Sequence, residues 1–224
     1  MNQSIENRRD FLRRATVAAF ALPILLNCKD EVSAQRSSKE ILDLMRKNAE
    51  YPKNCDNWCG SPHEAPDDVS WKTVLADEKD EGEPILISGT VFEKDGKTPA
   101  PNILIYAYHT NAKGFYGRGK ADHPHGKHHG WMLTDTRGRY EFQTIKPAQY
   151  PLRDTPAHIH FTLTGVDFKE YWIDDIWFKD DDLITPAIKK KQLTGRGGFN
   201  SILKLEKNAA NVLYGVRNIR LETV

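Results

Sequence analysis

The chain has 224 residues, 39% of them hydrophobic and 28% charged. That composition excludes a disordered polymer and a bundle of membrane helices, and it suits one domain of ordinary size or two small ones. The 32 basic and 31 acidic residues leave a formal charge of +1, without the basic excess of a nucleic-acid binder. No heptad pattern is sustained and no longer period repeats.

The opening, Asn7-Arg8-Arg9-Asp10-Phe11-Leu12-Arg13, is followed by an apolar stretch from Ala15 to Leu26. It resembles a twin-arginine export signal. The stretch is shorter than the about 20 apolar residues that span a bilayer, and it has the length of a signal-peptide apolar region. Val32-Ser33-Ala34 offers small residues at a cleavage site, so residues 1–34 are expected to be a removable address. A lipid-anchor site at Leu25-Leu26-Asn27-Cys28 ranks second, because Asn before the cysteine is unusual. Cleavage after Ala34 takes away five basic and four acidic residues, which brings the charge from +1 to zero. The expected location is periplasmic or extracellular. There Cys55 and Cys59 are candidates for a disulfide, although a loop this short stabilises little. A metal pair would lack two further ligands.

Residues 37–48 have helical spacing, with Ile41, Leu42, Leu44 and Met45 able to share one face. Residues 51–68 are rich in Pro, Cys, Asn and Asp and read as irregular chain, so residues 35–70 form an N-terminal helix and arm. From residue 71 onward, short β-prone runs alternate with turn residues. They fall at residues 85–92, 103–109, 139–142, 157–164, 171–178, 201–205 and 216–221. Many short strands with frequent turns predict an all-β domain, a β-sandwich with irregular loops, over residues 71–224.

His158-Ile159-His160 is the sharpest local feature. Residues i and i+2 of a strand point the same way. Ala157, Ile159, Phe161 and Leu163 therefore form one apolar face, and His158, His160 and Thr162 form the other. Alone, such a pair is more often two polar residues on a solvent face than a metal site.

Its neighbours change that judgement. The chain runs through Tyr108-His109-Thr110-Asn111-Ala112-Lys113-Gly114-Phe115-Tyr116, then Leu133-Thr134-Asp135 and Gly138-Arg139-Tyr140. Thr144-Ile145-Lys146-Pro147-Ala148-Gln149-Tyr150-Pro151 and Pro156-Ala157-His158-Ile159-His160-Phe161 complete the series. This order resembles the intradiol ring-cleavage dioxygenases of the catechol and protocatechuate type, over roughly residues 85 to 180. The resemblance implies a non-haem Fe(III) held by Tyr116, Tyr150, His158 and His160. The chemistry is coherent, because a bound cation stabilises a phenolate that otherwise forms only near pH 10. Two phenolates offset much of a ferric charge, and neutral imidazoles fill two more positions. The implied reaction opens a catechol ring between its hydroxyls to a cis,cis-muconate, with the metal as Lewis acid and template. Tyr150 would leave the metal and take a proton, and Tyr116 would stay bound. The implied partners are a small aromatic diol and dioxygen, with no nucleic acid and no membrane span. Assembly into a homo-oligomer is left open.

The sequence departs from the family pattern at two places near the substrate. An arginine usually stands where this chain has Thr155, and a glutamine where it has Asp175. Losing a fixed positive charge at the first position removes transition-state stabilisation, and Arg153 is the candidate to replace it. The long helical dimerisation segment of the catechol-cleaving branch is also missing, so a short exported branch is the nearer resemblance. These departures keep an alternative open: a non-catalytic β-sandwich that binds a metal or polyphenol. A weaker option is a carbohydrate-binding sandwich using Trp71, Trp172 and Trp177 for stacking. The tract from His123 to His129 is expected to be a polar surface loop, and Lys189-Lys190-Lys191 a solvated turn or helix end.

Overall fold

A computed structural model describes residues 36–49, 60–117, 123–209 and 211–222. The expected export signal, Cys28 and the Cys55–Cys59 pair lie outside them. Among the described residues no helix is long and apolar enough to cross a membrane.

Helix α1 (Ser38–Asn48) starts where its sequence dictates. The Ser37 side chain accepts from the Glu40 amide and the Glu40 side chain accepts from the Ser37 amide, a reciprocal cap. Ile41, Leu42 and Met45 are buried, while Leu44 is only half-buried. Twelve strands follow among the described residues. They are β1 (Lys72–Val74), β2 (Pro84–Phe92), β3 (Leu104–His109), β4 (His129–Leu133), β5 (Arg139–Ile145) and β6 (His158–Thr164). Then come β7 (Tyr171–Trp172), β8 (Ile176–Phe178), β9 (Ile202–Leu203), β10 (Glu206–Lys207), β11 (Leu213–Val216) and β12 (Ile219–Arg220). A short α2 (Pro186–Gln192) sits between β8 and β9 and carries the lysine run.

The strands form two sheets. One is ordered β1-β5-β2-β11-β10, with β12 also pairing β2, and the other β4-β3-β6-β8-β9, with β7 also pairing β6. One apolar cluster draws on both, through Ile85, Ile87, Val91 and Phe142 from the first and Ile105, Met132, Ile159, Phe161 and Phe178 from the second. This is the expected sandwich, its two apolar faces turned inward.

Several elements differ from the sequence reading. The histidine tract runs directly into β4, and His125 and His128 are buried, so the tract is not a surface loop. The run at residues 171–178 breaks into two strands around Ile173, Asp174 and Asp175. Trp177 is buried opposite His158, so it offers no stacking surface to a sugar.

The second sheet is covered on both sides. All six residues of β3 are buried. The inner face is the sandwich core. On the outer face, α1 packs Ile41, Leu42 and Met45 against Leu104 and Leu133 at one end. At the other end β3 and β6 present Tyr108 opposite His160 and Tyr106 opposite Thr162. The candidate residues gather there.

Candidate metal centre

Alternation along β6 turns Ile159, Phe161 and Leu163 into the core and leaves His158 and His160 side by side on the outer face. Their Nε2 atoms are 3.0 Å apart. The opposite nitrogen of each ring is engaged. His158 Nδ1 lies 2.6 Å from the Pro156 carbonyl oxygen. His160 Nδ1 lies 2.9 Å from Asp175 Oδ1. A carbonyl and a carboxylate can only accept, so each Nδ1 carries a proton, and in the neutral ring the lone pair sits at Nε2.

The two phenols arrive on separate loops. After β3, Asn111 closes a turn by accepting from the amides of Lys113 and Phe115. Gly114 in that turn has φ +80°, and a Cβ there would lie 2.0 Å from the Gln149 carbonyl oxygen. A glycine is therefore required for the loop carrying Tyr116 to close on the loop carrying Tyr150. The hydroxyls of Tyr116 and Tyr150 are hydrogen-bonded to each other. The Tyr150 hydroxyl is 3.2 Å from His160 Nε2.

Proton counting shows what this cluster lacks. Two phenol protons serve four converging atoms. Tyr116 can donate to Tyr150 and Tyr150 to His160, but then His158 Nε2 faces His160 Nε2 with no proton between them. With both imidazoles neutral, any other placement of the two phenol protons likewise leaves those two lone pairs opposed. A cation resolves the conflict, because it accepts all four lone pairs and displaces the phenol protons. Two imidazole nitrogens and two phenol oxygens suit a hard, highly charged transition metal. The donor set thus fits the metal that the resemblance implies.

Burial acts on the two kinds of donor in opposite ways, favouring the neutral imidazole and opposing the phenolates that a cation would have to stabilise. His158 is held below its usual pKa, first by burial and then by the neighbouring His160, so it stays in its neutral, ligating form. Burial raises both phenols above their ordinary range. Their mutual hydrogen bond raises Tyr116 further and lowers Tyr150. The Arg153 guanidinium, 5.7 Å from the Tyr150 ring centre, also pulls Tyr150 down. Thr155 is half-buried, just ahead of Pro156. Asp175, expected to face substrate, places its carboxylate behind His160. It belongs with the two histidines to a group able to hold a metal ion, but it engages the nitrogen turned away from His158.

The sequence reading missed the wall of this site. The Tyr108 ring is stacked between His160, at 4.5 Å, and His125, at 3.6 Å. Tyr106 hydrogen-bonds His125 Nδ1 at 2.9 Å. Trp172 presents an edge to His160 at 5.9 Å. Strand alternation turns Ile105 and Ala107 into the core and so puts Tyr106 and Tyr108 together on the other face. What sequence alone could not supply was the pairing of β3 with β6.

Fold and donor set together describe a β-sandwich protein with a candidate metal centre at the end of a strand. The chain belongs to the intradiol ring-cleavage dioxygenase family: the family model described as Dioxygenase (Dioxygenase_C) matches residues 61–211. It is similar to the protocatechuate 3,4-dioxygenase beta chain of Burkholderia cepacia, with 33% identity over 133 residues, covering 51% of this chain and 56% of the relative. It is also similar to catechol 1,2-dioxygenase 2 of Acinetobacter lwoffii, with 27% identity over 69% of this chain and 68% of the relative. The solved catechol 1,2-dioxygenase from Acinetobacter sp. ADP1, inhibited by bound mercury, superposes with a TM-score of 0.55 at 22% identity. That match covers 68% of this chain and 57% of the solved one, and it speaks for the fold.

Proposed function

We propose that this protein is an exported non-haem Fe(III) dioxygenase that cleaves a catecholic ring between its two hydroxyls, giving a cis,cis-muconate-type product. The observation that carries the reading is the pair of histidine Nε2 atoms 3.0 Å apart, with two hydrogen-bonded phenols beside them. Family membership supports the reaction class, and the twin-arginine-like opening supports export. In this reading His158, His160, Tyr116 and Tyr150 hold the iron.

When bound, the ferric ion supplies a Lewis acid and a template for the diol and dioxygen. The chain's residues do the rest. The acceptor behind each imidazole, the Pro156 carbonyl for His158 and the Asp175 carboxylate for His160, engages Nδ1 and leaves Nε2 to face the metal position. Tyr116 is the fixed phenolate. Tyr150 sits in the loop between β5 and β6 and takes a proton from the incoming diol at its phenolic oxygen. Arg153, over the Tyr150 ring, supplies the positive charge that Thr155 does not. Tyr108 and Trp172 close the side of the site nearest His160 and keep water from that flank.

Oxygen uptake by the iron-loaded protein, screened over catechols that differ in one ring substituent, tests the proposal. One dioxygen consumed per diol, with both atoms in a ring-opened diacid, is the expected result. A coloured iron protein that binds catechols without consuming oxygen would overturn it in favour of a binding module.

A further inference from the structure

The segment after β8 carries Asp180-Asp181-Asp182, and the middle carboxylate is committed to groups that flank the metal centre. Asp181 Oδ2 accepts from the Ala157 amide at 2.7 Å. Asp181 Oδ1 accepts from Gln149 Nε2 at 2.7 Å and from the Leu183 amide at 2.9 Å. Gln149 immediately precedes Tyr150, and Ala157 immediately precedes His158. One half-buried carboxylate therefore ties the tyrosine-bearing loop to the start of the histidine-bearing strand.

The Ala157 contact reaches further than a tether. The Ala157 N–H and the Pro156 C=O belong to one peptide group, and that carbonyl accepts from His158 Nδ1. A carboxylate polarising the N–H end makes the C=O end a better acceptor, because hydrogen bonds in series strengthen one another. His158 is thus backed by a carboxylate through one peptide group, as His160 is backed directly by Asp175. Partners behind a ligating imidazole fix its tautomer and raise its donor strength.

We infer that Asp181 is a positioning residue of the centre: its carboxylate sets the spacing between Tyr150 and His158 and orients the His158 ring through the Pro156–Ala157 peptide. The inference rests on the metal-centre reading above, so its test has one arm that needs no metal.

In metal-free protein, hydrogen exchange is followed amide by amide for wild type, Asp181→Ala and Asp181→Asn. In Asp181→Ala the Ala157 amide and residues 148–156 exchange at least about tenfold faster, while the β6 interior from Ile159 to Leu163 keeps its protection. In the second arm, iron affinity falls about 10- to 100-fold in Asp181→Ala, and the visible band of the loaded protein shifts. Asp181→Asn retains one acceptor oxygen and recovers part of both effects. Asp182→Ala, which removes only a 3.2 Å contact to Gln149, stays close to wild type. Unchanged exchange at Ala157, or faster exchange with iron affinity still at the wild-type level, would overturn the inference. If Asp181→Ala does not fold, Gln149→Leu decides, since it cuts the tyrosine arm alone: weakened iron binding with a protected Ala157 amide supports the role, and wild-type binding refutes it. A wild-type protein that takes up no iron defeats the reading of the centre, and the exchange arm then judges the clamp by itself.

Discussion

The two faces of β6 divide its seven residues between them and use them in opposite ways. The inner face, with Ile159, Phe161 and Leu163, is fully buried and shares its contacts with both sheets. Each such side chain contributes about 1.5–3 kcal/mol by leaving water. The outer face, with His158, His160 and Thr162, is held by polar partners that each require one geometry. A hydrophobic contact tolerates small shifts, whereas a donor set fails when one atom moves. The strand thus separates stability from chemistry at alternate positions, and single substitutions on adjacent residues should separate them in experiment.

The largest expected contrast is between neighbours. His160→Ala abolishes iron retention and lowers ring cleavage at least about 1,000-fold, a loss of about 4 kcal/mol of transition-state stabilisation, while the metal-free protein still unfolds cooperatively. Phe161→Ala costs about 3–5 kcal/mol of stability from the cavity it leaves, read as a lower urea midpoint, while folded molecules keep their iron. If both variants lost stability and iron in parallel, the separation of the two faces would be wrong.

Next in size is the carboxylate behind His160. Asp175→Ala frees the imidazole to rotate, and iron affinity measured by competition with a chelator drops about 10- to 100-fold. Asp175→Asn keeps an acceptor and falls between. Arg153 lies further out, exposed above Tyr150. Arg153→Ala is expected to slow turnover about tenfold, about 1.4 kcal/mol, with little change in iron content. Unchanged turnover would dismiss it as the replacement for the missing charge at Thr155.

The smallest effect is a pH dependence of the metal-free protein. Burial pushes His109 and His125 down to about 3 and His123 to about 4. These groups bind fewer protons folded than unfolded. Their contribution is present in full above about pH 6.5, the ordinary imidazole value, and is lost as pH falls below it. Glu170, pushed up by burial to about 7, acts in the other direction, losing its contribution as pH rises from 4.5. Three histidines outweigh one carboxyl, so the urea midpoint should fall between pH 6.5 and 5. A midpoint that rises on acidification would contradict the burial of the histidine tract.

Much of this was legible in the sequence because it depends on local rules. The two-residue period of a strand separates Ile159 from His158 and His160 without knowledge of the fold. The helical spacing of Ile41, Leu42 and Met45 marks α1. The sandwich follows from short β-prone runs between turns. The parts that were not legible depend on long-range register. The histidine tract carries several polar imidazoles in seven residues and reads as surface. It is buried because β4 pairs with β3 and because His125 stacks on Tyr108. Asp175 reads as a substrate contact until β6 and β8 are paired, which sets it behind His160. Asp181 lies in an acidic run with no local signal. Its partners, Gln149 and Ala157, are 32 and 24 residues away.

The central claim is that two phenols and two imidazoles meet at one iron. Resonance Raman spectra of the iron-loaded protein, excited in its visible band, test this most directly. The account expects tyrosinate vibrations that weaken in Tyr116→Phe and in Tyr150→Phe, and vanish when both are replaced. An iron protein without tyrosinate modes, or with modes that survive the double replacement, would contradict it.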